Sequence, residues 1–251
     1  MRSGRREHAK GSGIVQVHKN AARQLHKMPD CGEGWGAVQW NKREMEDNQM
    51  IRHIIFDMGN VLLRFDRELF LDRIGAGGED RKRLMREVYL SVEWVMMDRG
   101  SLDEPEAERR MCARLPQHLH SAVHELTSRW DQPILPVAGM AELVRELKEK
   151  GYGVWLLSNA SRRQHEYWPR CPGSELFDGT LISADEGLMK PQKEIYELCL
   201  ARFGLRAEEC FFLDDAPANI EGANRCGIAG CVFHGDPEQA REALRGAGVA
   251  I

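Results

Sequence analysis

The run Ile54-Ile55-Phe56-Asp57-Met58-Gly59-Asn60-Val61-Leu62-Leu63 decides how the rest of the chain is arranged. A short apolar run that ends in a carboxylate and continues into a Gly-Asn turn predicts a buried parallel strand with Asp57 at its carboxyl end. Open α/β sheets bind their ligands at that end of the strands. Aspartate also follows many strands simply as a turn residue, so this run needs support from elsewhere in the sequence.

Later stretches repeat the pattern of an apolar run followed by polar residues, and helical patterns lie between them. They are Leu156-Leu157-Ser158-Asn159, Met189-Lys190-Pro191 and Phe211-Phe212-Leu213-Asp214-Asp215. Right-handed crossovers onto one parallel sheet bring such strand ends to the same edge. The sequence therefore predicts an α/β fold with a Rossmann-like parallel sheet and one pocket at its carboxyl edge.

In this order, the four stretches resemble the haloacid dehalogenase (HAD) superfamily of hydrolases, over roughly residues 50–233. The phrase from Asp57 to Leu62, the pair Trp168-Pro169 and the run from Asp214 to Ile220 resemble one subgroup. That subgroup includes bacterial sugar-1-phosphate phosphatases of the α-glucose-1-phosphatase kind and the phosphatase domain of bifunctional epoxide hydrolases. The resemblance implies a hydrolase.

Residues 66–134 carry only helical patterns. Asp66 is a candidate cap for a first helix, and a glycine-rich break separates it from a longer pattern with Leu84, Val88 and Val92. Two further helices are expected, over about 105–114 and 118–130. An all-helical insert after the first strand matches the family's small cap domain, so we expect a core of residues 50–65 and 135–251 with a cap of residues 66–134.

Residues 1–49 differ in composition from the remainder of the chain. They are rich in polar and basic residues and lack an apolar period, so we expect a disordered N-terminal extension outside the functional domain. No apolar core follows the charged start, which argues against a secretory signal. Acidic residues at 44, 46 and 47 argue against an organelle transit peptide.

Charge and cysteine usage exclude several partner classes. The net charge of -4 and the pI near 6.2 provide no basic footprint for nucleic acid. No apolar run approaches the roughly 20 residues of a membrane span. The 7 cysteines are odd in number and scattered, which favours a reducing compartment. We expect a cytoplasmic protein that acts on a small molecule and binds neither nucleic acid nor membrane.

The polar strand ends suggest a specific chemistry. Carboxylates that converge repel one another unless a hard cation neutralises them, and Mg²⁺ fits Asp57 and Asp215. The resemblance adds the Gly59 carbonyl as a third ligand, with Asp214 and Asn219 in support. Lys190 with Ser158 and Asn159 would bind the phosphate group.

Asp57 is then the candidate nucleophile. Its attack on phosphorus would form an aspartyl-phosphate that water hydrolyses, with Lys190 as a second catalytic residue. The resemblance implies the same chemistry. The predicted function is a Mg²⁺-dependent phosphomonoester hydrolase for a small phosphorylated metabolite such as a sugar phosphate.

Position 59 departs from the family pattern. Most phosphatases of the family carry a second aspartate two residues after the nucleophile, which protonates the leaving group and then activates water, whereas this chain has Gly59. Candidates for the missing proton donor are Asp66, Asp98, His165 and metal-bound water, and the sequence does not choose among them.

Two other functions compete with the phosphatase. A 2-haloacid dehalogenase would use Asp57 to attack carbon without a metal, but the Asp214-Asp215 pair argues against it because its charge would repel an anionic substrate. Gly59 also allows a non-catalytic binding protein on a HAD fold.

Overall fold

The computed structural model describes residues 50–251 of the chain. The predicted disorder of residues 1–49 lies outside this part and stays a prediction. No helix between residues 50 and 251 combines the length and the apolar character that crossing a bilayer requires.

A parallel sheet of five strands, in the order β3-β2-β1-β4-β5, forms the centre of the molecule. The strands are β1 (His53–Phe56), β2 (Gly153–Ser158), β3 (Gly179–Ile182), β4 (Cys210–Asp214) and β5 (Ala229–Val232). Strand β1 lies in the middle, where Ile55 pairs with Trp155 on one side and with Phe212 on the other. The predicted α/β fold with a parallel Rossmann-like sheet is confirmed.

Helices connect the strands and cover both faces of the sheet. They are α1 (Arg67–Arg73), α2 (Gly78–Leu84), α3 (Val92–Asp98), α4 (Glu104–Cys112), α5 (His120–Ser128), α6 (Met140–Glu149), α7 (Gln164–Tyr167), α8 (Ser183–Glu186), α9 (Lys193–Phe203), α10 (Pro217–Arg225) and α11 (Pro237–Gly246). Because side chains of a strand alternate between faces, Ile54 and Phe56 pack with α6 and α11, while Ile55 packs with α9 and α10. Burial on both faces explains why the central strand β1 carries apolar residues at consecutive positions, Ile54, Ile55 and Phe56.

Helices α1 to α5 form the insert between β1 and α6, and they enclose an apolar cluster of their own. Its fully buried members include Leu71, Leu84, Val88, Met111 and Val123. The side chain of Asp66 accepts a hydrogen bond from the Leu69 amide at 3.0 Å, as expected for the first cap.

The prediction of one long helix from Leu84 through Val92 is wrong. Helix α2 continues into one π-helical segment, Met85–Tyr89, and the chain then turns. The Ser91 hydroxyl donates to the Val88 carbonyl at 2.7 Å and accepts from the Trp94 amide at 3.2 Å. Ser91 thus binds the last turn of one helix and the first turn of the next, so the first helix ends here and α3 begins. Val92 therefore belongs to α3, and it is 65% exposed.

Two features near the sheet edge differ from expectation. Strand β3 was not predicted, because its apolar run is short and lies at the edge of the sheet. The pattern of residues 191–203, with a proline at its first turn, predicts a helix that starts at Pro191, whereas α9 begins at Lys193. The reason is that the backbone of Lys190 is bound to the end of β2, which holds this segment out of the helix.

Candidate active site

Three carboxylates, from Asp57, Asp214 and Asp215, meet where β1 and β4 end, with oxygen atoms within 4.8 Å of one another. The pairing of β1 with β4 sets their positions, because the Asp57 amide donates to the Leu213 carbonyl at 2.8 Å. The sequence predicted that these side chains converge, and the strand order brings them together.

Lys190 contributes a cation to this cluster. Its Nζ atom donates to Asp57 Oδ1 at 2.6 Å, to Asp214 Oδ2 at 2.7 Å and to the Leu157 carbonyl at 2.8 Å. The residue is 4% exposed, so all of its donors are satisfied within the protein. Burial alone would lower the pKa of Lys190, but the charges of Asp57 and Asp214 outweigh burial and raise it. Lys190 therefore stays a cation.

The carboxylates are only partly neutralised. Burial raises the pKa of Asp57 to about 7 against the opposing charge of Lys190. Burial also raises the pKa of Asp215, and the neighbouring Asp214 adds to the shift. One ammonium group thus faces three acidic side chains. A second cation would relieve the excess negative charge, and an all-oxygen set of donors suits a hard ion such as Mg²⁺.

The pair Asp214-Asp215 divides into two environments. Asp214 is fully buried and accepts from Lys190, from the Asn219 amide group at 2.9 and 3.1 Å, and from the Ala216 amide at 2.8 Å. Asn219 is itself held by Tyr196, whose hydroxyl donates to the Asn219 carbonyl at 2.7 Å. Both oxygens of Asp214 already accept hydrogen bonds within the protein. Asp215 is therefore the carboxylate of the pair that can bind a cation.

Asn60 belongs to the site and was not predicted as a site residue. Its Nδ2 atom donates to Asp215 Oδ2 at 2.9 Å, and its Oδ1 atom accepts from the Phe65 amide at 3.0 Å. Its φ of 55° lies in the left-handed region, which asparagine tolerates better than most residues. The Gly-Asn turn in the sequence was the available signal for this role.

Gly59 lies directly beside Asp57. A β-carbon at position 59 would be 3.8 Å from Asp57 Oδ2, which is an ordinary contact distance. The position therefore has room for a β-carbon beside Asp57. The role of the Gly59 carbonyl as a cation ligand stays a prediction.

Ser158 and Asn159 follow β2 but differ in what their side chains contact. The Ser158 hydroxyl is buried and finds no hydrogen-bond partner among residues 50–251. Such an orphaned group beside a site is costly unless a ligand satisfies it. Asn159, in contrast, donates to the Lys190 carbonyl and accepts from the Lys190 amide, both at 2.9 Å. Its side chain therefore positions Lys190.

The three side chains considered as proton donors lie in different places. Asp66 caps α1 and pairs with Arg64 at 3.2 Å, and His165 is largely exposed and contacts Asp185 at 2.9 Å. Asp98 is partly buried at the end of α3, where burial raises its pKa to about 8.

A cleft of about 570 Å³ opens beside Asn60, between the nucleophile loop and the insert. Its lining combines charges of both signs with apolar groups: Asn60, Arg64, Phe65, Asp66, Arg67, Glu68 and Met85. Phe65 packs against several aromatic rings, and its ring centroid lies 5.6 Å from that of Trp94 and 5.0 Å from that of Trp130. The cleft therefore offers both charged and apolar contacts.

The sequence of this chain is similar to those of several known enzymes. A sesquiterpene phosphatase of Aspergillus oryzae (strain ATCC 42149 / RIB 40) is 29% identical over 189 residues, which are 70% of this chain and 86% of that protein. A ribulose-1,5-bisphosphate 5-phosphatase of Halopiger xanaduensis is 32% identical over 185 residues, 73% of this chain and 74% of the relative. An (S)-2-haloacid dehalogenase of Pseudomonas fluorescens is 27% identical over 162 residues, 61% and 70% of the two chains.

A solved structure has the same fold. It is a HAD-family enzyme of Bacteroides thetaiotaomicron in complex with magnesium and inorganic phosphate, with a TM-score of 0.59 and 21% identity. The match covers 74% of this chain and 95% of that one. The family model for haloacid dehalogenase-like hydrolases matches residues 51–227, which contain strands β1 to β4. The chain belongs to the haloacid dehalogenase-like hydrolases, and phosphatases are among its relatives.

Proposed function

We propose that this protein is a Mg²⁺-dependent phosphomonoesterase that acts on a small phosphorylated metabolite through an aspartyl-phosphate at Asp57. The observation that carries the proposal is the charge balance of the site, in which Lys190 faces Asp57, Asp214 and Asp215. A divalent cation with oxygen ligands would balance this site and allow a phosphate dianion to enter. The Bacteroides structure, which contains magnesium and phosphate, supports the choice of ion.

Asp57, Asp215 and the Gly59 carbonyl would hold the cation, with Asn60 orienting Asp215 at 2.9 Å. The cation would neutralise phosphate oxygens as charge moves in the reaction. Asp214 and Asn219 would support the site indirectly, since Asp214 Oδ2 accepts a hydrogen bond from Lys190 Nζ at 2.7 Å and so holds Lys190 in place. The buried and unpartnered hydroxyl of Ser158 would donate to a phosphate oxygen.

In the first step a carboxylate oxygen of Asp57 would bond to phosphorus while the bond from phosphorus to the ester oxygen breaks. The ester oxygen would leave with the electron pair and take a proton. In the second step water would attack the aspartyl-phosphate, releasing inorganic phosphate and restoring the Asp57 carboxylate. Lys190 would hold Asp57 in position during both steps, since it donates to Oδ1 and leaves Oδ2 for attack.

We propose residues 66–134 as a cap domain that shapes the substrate site. Support comes from the cleft between the nucleophile loop and the insert, which is lined by two arginines, two carboxylates and the apolar surface of Phe65 and Met85. Such a lining, with charges of both signs, suits a polar metabolite whose organic part is small. Sugar phosphates fit this description, and the relatives that act on ribulose bisphosphate and on sesquiterpenes widen the range to be tested.

A 2-haloacid dehalogenase is the second candidate, since the Pseudomonas relative carries that name. The charges of the site oppose it. Lys190 is already engaged by two carboxylates, so Asp215 would stand without a counter-charge beside a substrate that is itself an anion. Metal-independent release of halide would make this the better assignment.

The decisive experiment is a panel of phosphomonoesters, polar and apolar, assayed for phosphate release with Mg²⁺ and with a chelator. An (S)-2-haloacid is assayed in parallel for halide. Phosphate release that requires both Mg²⁺ and Asp57 supports the proposal, and Asp57→Asn is compared with Asp80→Asn, a surface carboxylate of α2 that pairs with His118. No turnover of any phosphomonoester by the wild-type protein would overturn it.

A further inference from the structure

We propose that Asp98, on the last turn of α3 in the insert, is the catalytic residue that protonates the leaving group in place of the aspartate that Gly59 replaces. The inference rests on the proposed phosphatase function. Two structural facts motivate it: position 59 has no side chain next to Asp57, and contacts between the insert and the core hold the turn that carries Asp98 at the carboxyl edge of the sheet.

The turn after α3 is seated against the loops that follow β2 and β3. The Ser183 hydroxyl donates to the Asp98 carbonyl, and Arg162 donates to the Gly100 carbonyl at 3.2 Å. Arg99 donates to the Gly187 carbonyl at 3.3 Å. These contacts join the turn to the edge of the sheet at several points.

Gly100 shows how close the approach is. A β-carbon at this position would lie 1.9 Å from the Ala184 carbonyl oxygen, and the residue has a φ of 74°. Only glycine allows this contact between two backbones. Because Gly100 packs directly on Ala184, the neighbouring residue Asp98 is held close to the edge of the sheet.

The surroundings of the Asp98 carboxyl suit a proton donor. Burial is the largest influence and raises its pKa to about 8, with further increases from the charges of Glu104 on α4 and Asp57 on the β1 end. Arg67 on α1 and the backbone amide of Ser161 oppose the shift. Tyr167 on α7 also faces this carboxyl. Asp98 is thus protonated near neutral pH, and the negative charge of Asp57 contributes to its raised pKa.

The other two side-chain candidates do not meet these conditions. Asp66 is committed to the α1 cap and to Arg64, while His165 contacts Asp185 and is largely exposed. Asp98 combines partial burial, a carboxyl with a raised pKa and a backbone that is held at the carboxyl edge of the sheet.

The proton balance is complete with this residue. As Asp57 bonds to phosphorus and the ester bond breaks, the departing oxygen takes the Asp98 proton and leaves as an alcohol. The resulting Asp98 carboxylate accepts a proton from the water that attacks the aspartyl-phosphate. Phosphate is released and Asp98 is again protonated, so one ester and one water become one alcohol and one phosphate.

The test compares leaving groups. The measured quantity is kcat/KM for an alkyl phosphate and for aryl phosphates of decreasing leaving-group basicity, because kcat/KM reports the step in which the ester bond breaks. For Asp98→Asn we expect a loss of about 10²–10⁴ with the alkyl phosphate and less than about tenfold with 4-nitrophenyl phosphate, whose leaving group needs little protonation. The control variant His165→Gln should match wild type with every substrate.

The possible outcomes are distinct. A loss that is the same for all leaving groups, or no loss at all, would overturn the role of Asp98 while the phosphatase assignment stands. Absence of turnover by wild-type protein with every phosphate ester would overturn the proposed function and this inference with it. If circular dichroism shows that Asp98→Asn does not fold, Asp98→Glu takes its place: a loss that grows with leaving-group basicity supports the proposal, and a uniform one overturns it.

Discussion

The Nζ atom of Lys190 lies 2.6 Å from the Oδ1 atom of Asp57, and this buried pair joins two parts of the chain that are 133 residues apart. The same ammonium also binds Asp214, so one cation organises the ends of β1 and β4. The contact accounts for both the position of the candidate nucleophile and the excess negative charge that remains around it.

Asp57→Asn should lower phosphatase turnover by several orders of magnitude, because an amide oxygen is a far weaker nucleophile than a carboxylate. The change is nearly isosteric, so the fold should be retained. Phosphate release and far-UV circular dichroism measure the two effects. Residual turnover within about tenfold of wild type would rule out Asp57 as the nucleophile.

Lys190→Met should be strongly destabilising, since it leaves Asp57 and Asp214 buried without their counter-charge. Breaking a buried ion pair in this way costs roughly 3–5 kcal/mol, measured by denaturant unfolding in the presence of a chelator. The matched control is Lys193→Met, three residues further along, where the exposed pair with Glu197 contributes little. Equal unfolding free energies for the two variants would contradict the structural role of Lys190.

Mg²⁺ should raise the melting temperature of the wild-type protein and have a much smaller effect on Asp215→Asn. A ligand that binds only the folded state at about 100 times its dissociation constant adds about 2.7 kcal/mol of stability. Thermal unfolding with Mg²⁺ and with chelator measures the difference, and Asp80→Asn serves as the control carboxylate. A shift of the same size in Asp215→Asn would remove this residue from the cation site.

Asp98 should make stability depend on pH with a defined sign. Its pKa is raised from 3.8 to about 8, so the folded state keeps a proton that the unfolded state has already lost. Stability therefore falls as pH rises from about 4 to about 8. In Asp98→Asn this decrease in the free energy of unfolding should be absent. The difference in unfolding free energy between the variant and wild type should therefore grow over the same pH range, to on the order of a few kcal/mol. Parallel pH profiles of the melting temperature in the two proteins would be inconsistent with a raised pKa.

Gly59→Asp should restore turnover in the Asp98→Asn background. Position 59 can accept a side chain, since a β-carbon there would be 3.8 Å from Asp57 Oδ2. The double variant should regain at least about tenfold in kcat/KM for an alkyl phosphate and show little gain for 4-nitrophenyl phosphate. A similar gain with both substrates would indicate an effect other than proton donation.

The residue types at the strand ends were readable from the sequence. Buried parallel strands are apolar throughout, so the polar residues that follow them stand out, as Asp57, Ser158 and Asp214 do here. The fold class and the family resemblance followed from the same local pattern. Strand β3 escaped prediction because an edge strand with few apolar residues leaves only a weak pattern.

The sequence by itself determined which chemical groups stand at the ends of the strands, because strand formation and turn preference depend on neighbouring residues. Tertiary structure alone decided which of these groups touch. Asn60 contacts Asp215 although the two are 155 residues apart, and the Asn159 side chain binds the backbone of Lys190. Asp98 reaches the sheet edge because Gly100 packs on Ala184. Such contacts depend on strand order and on the seating of the insert, and no local pattern in the chain encodes either.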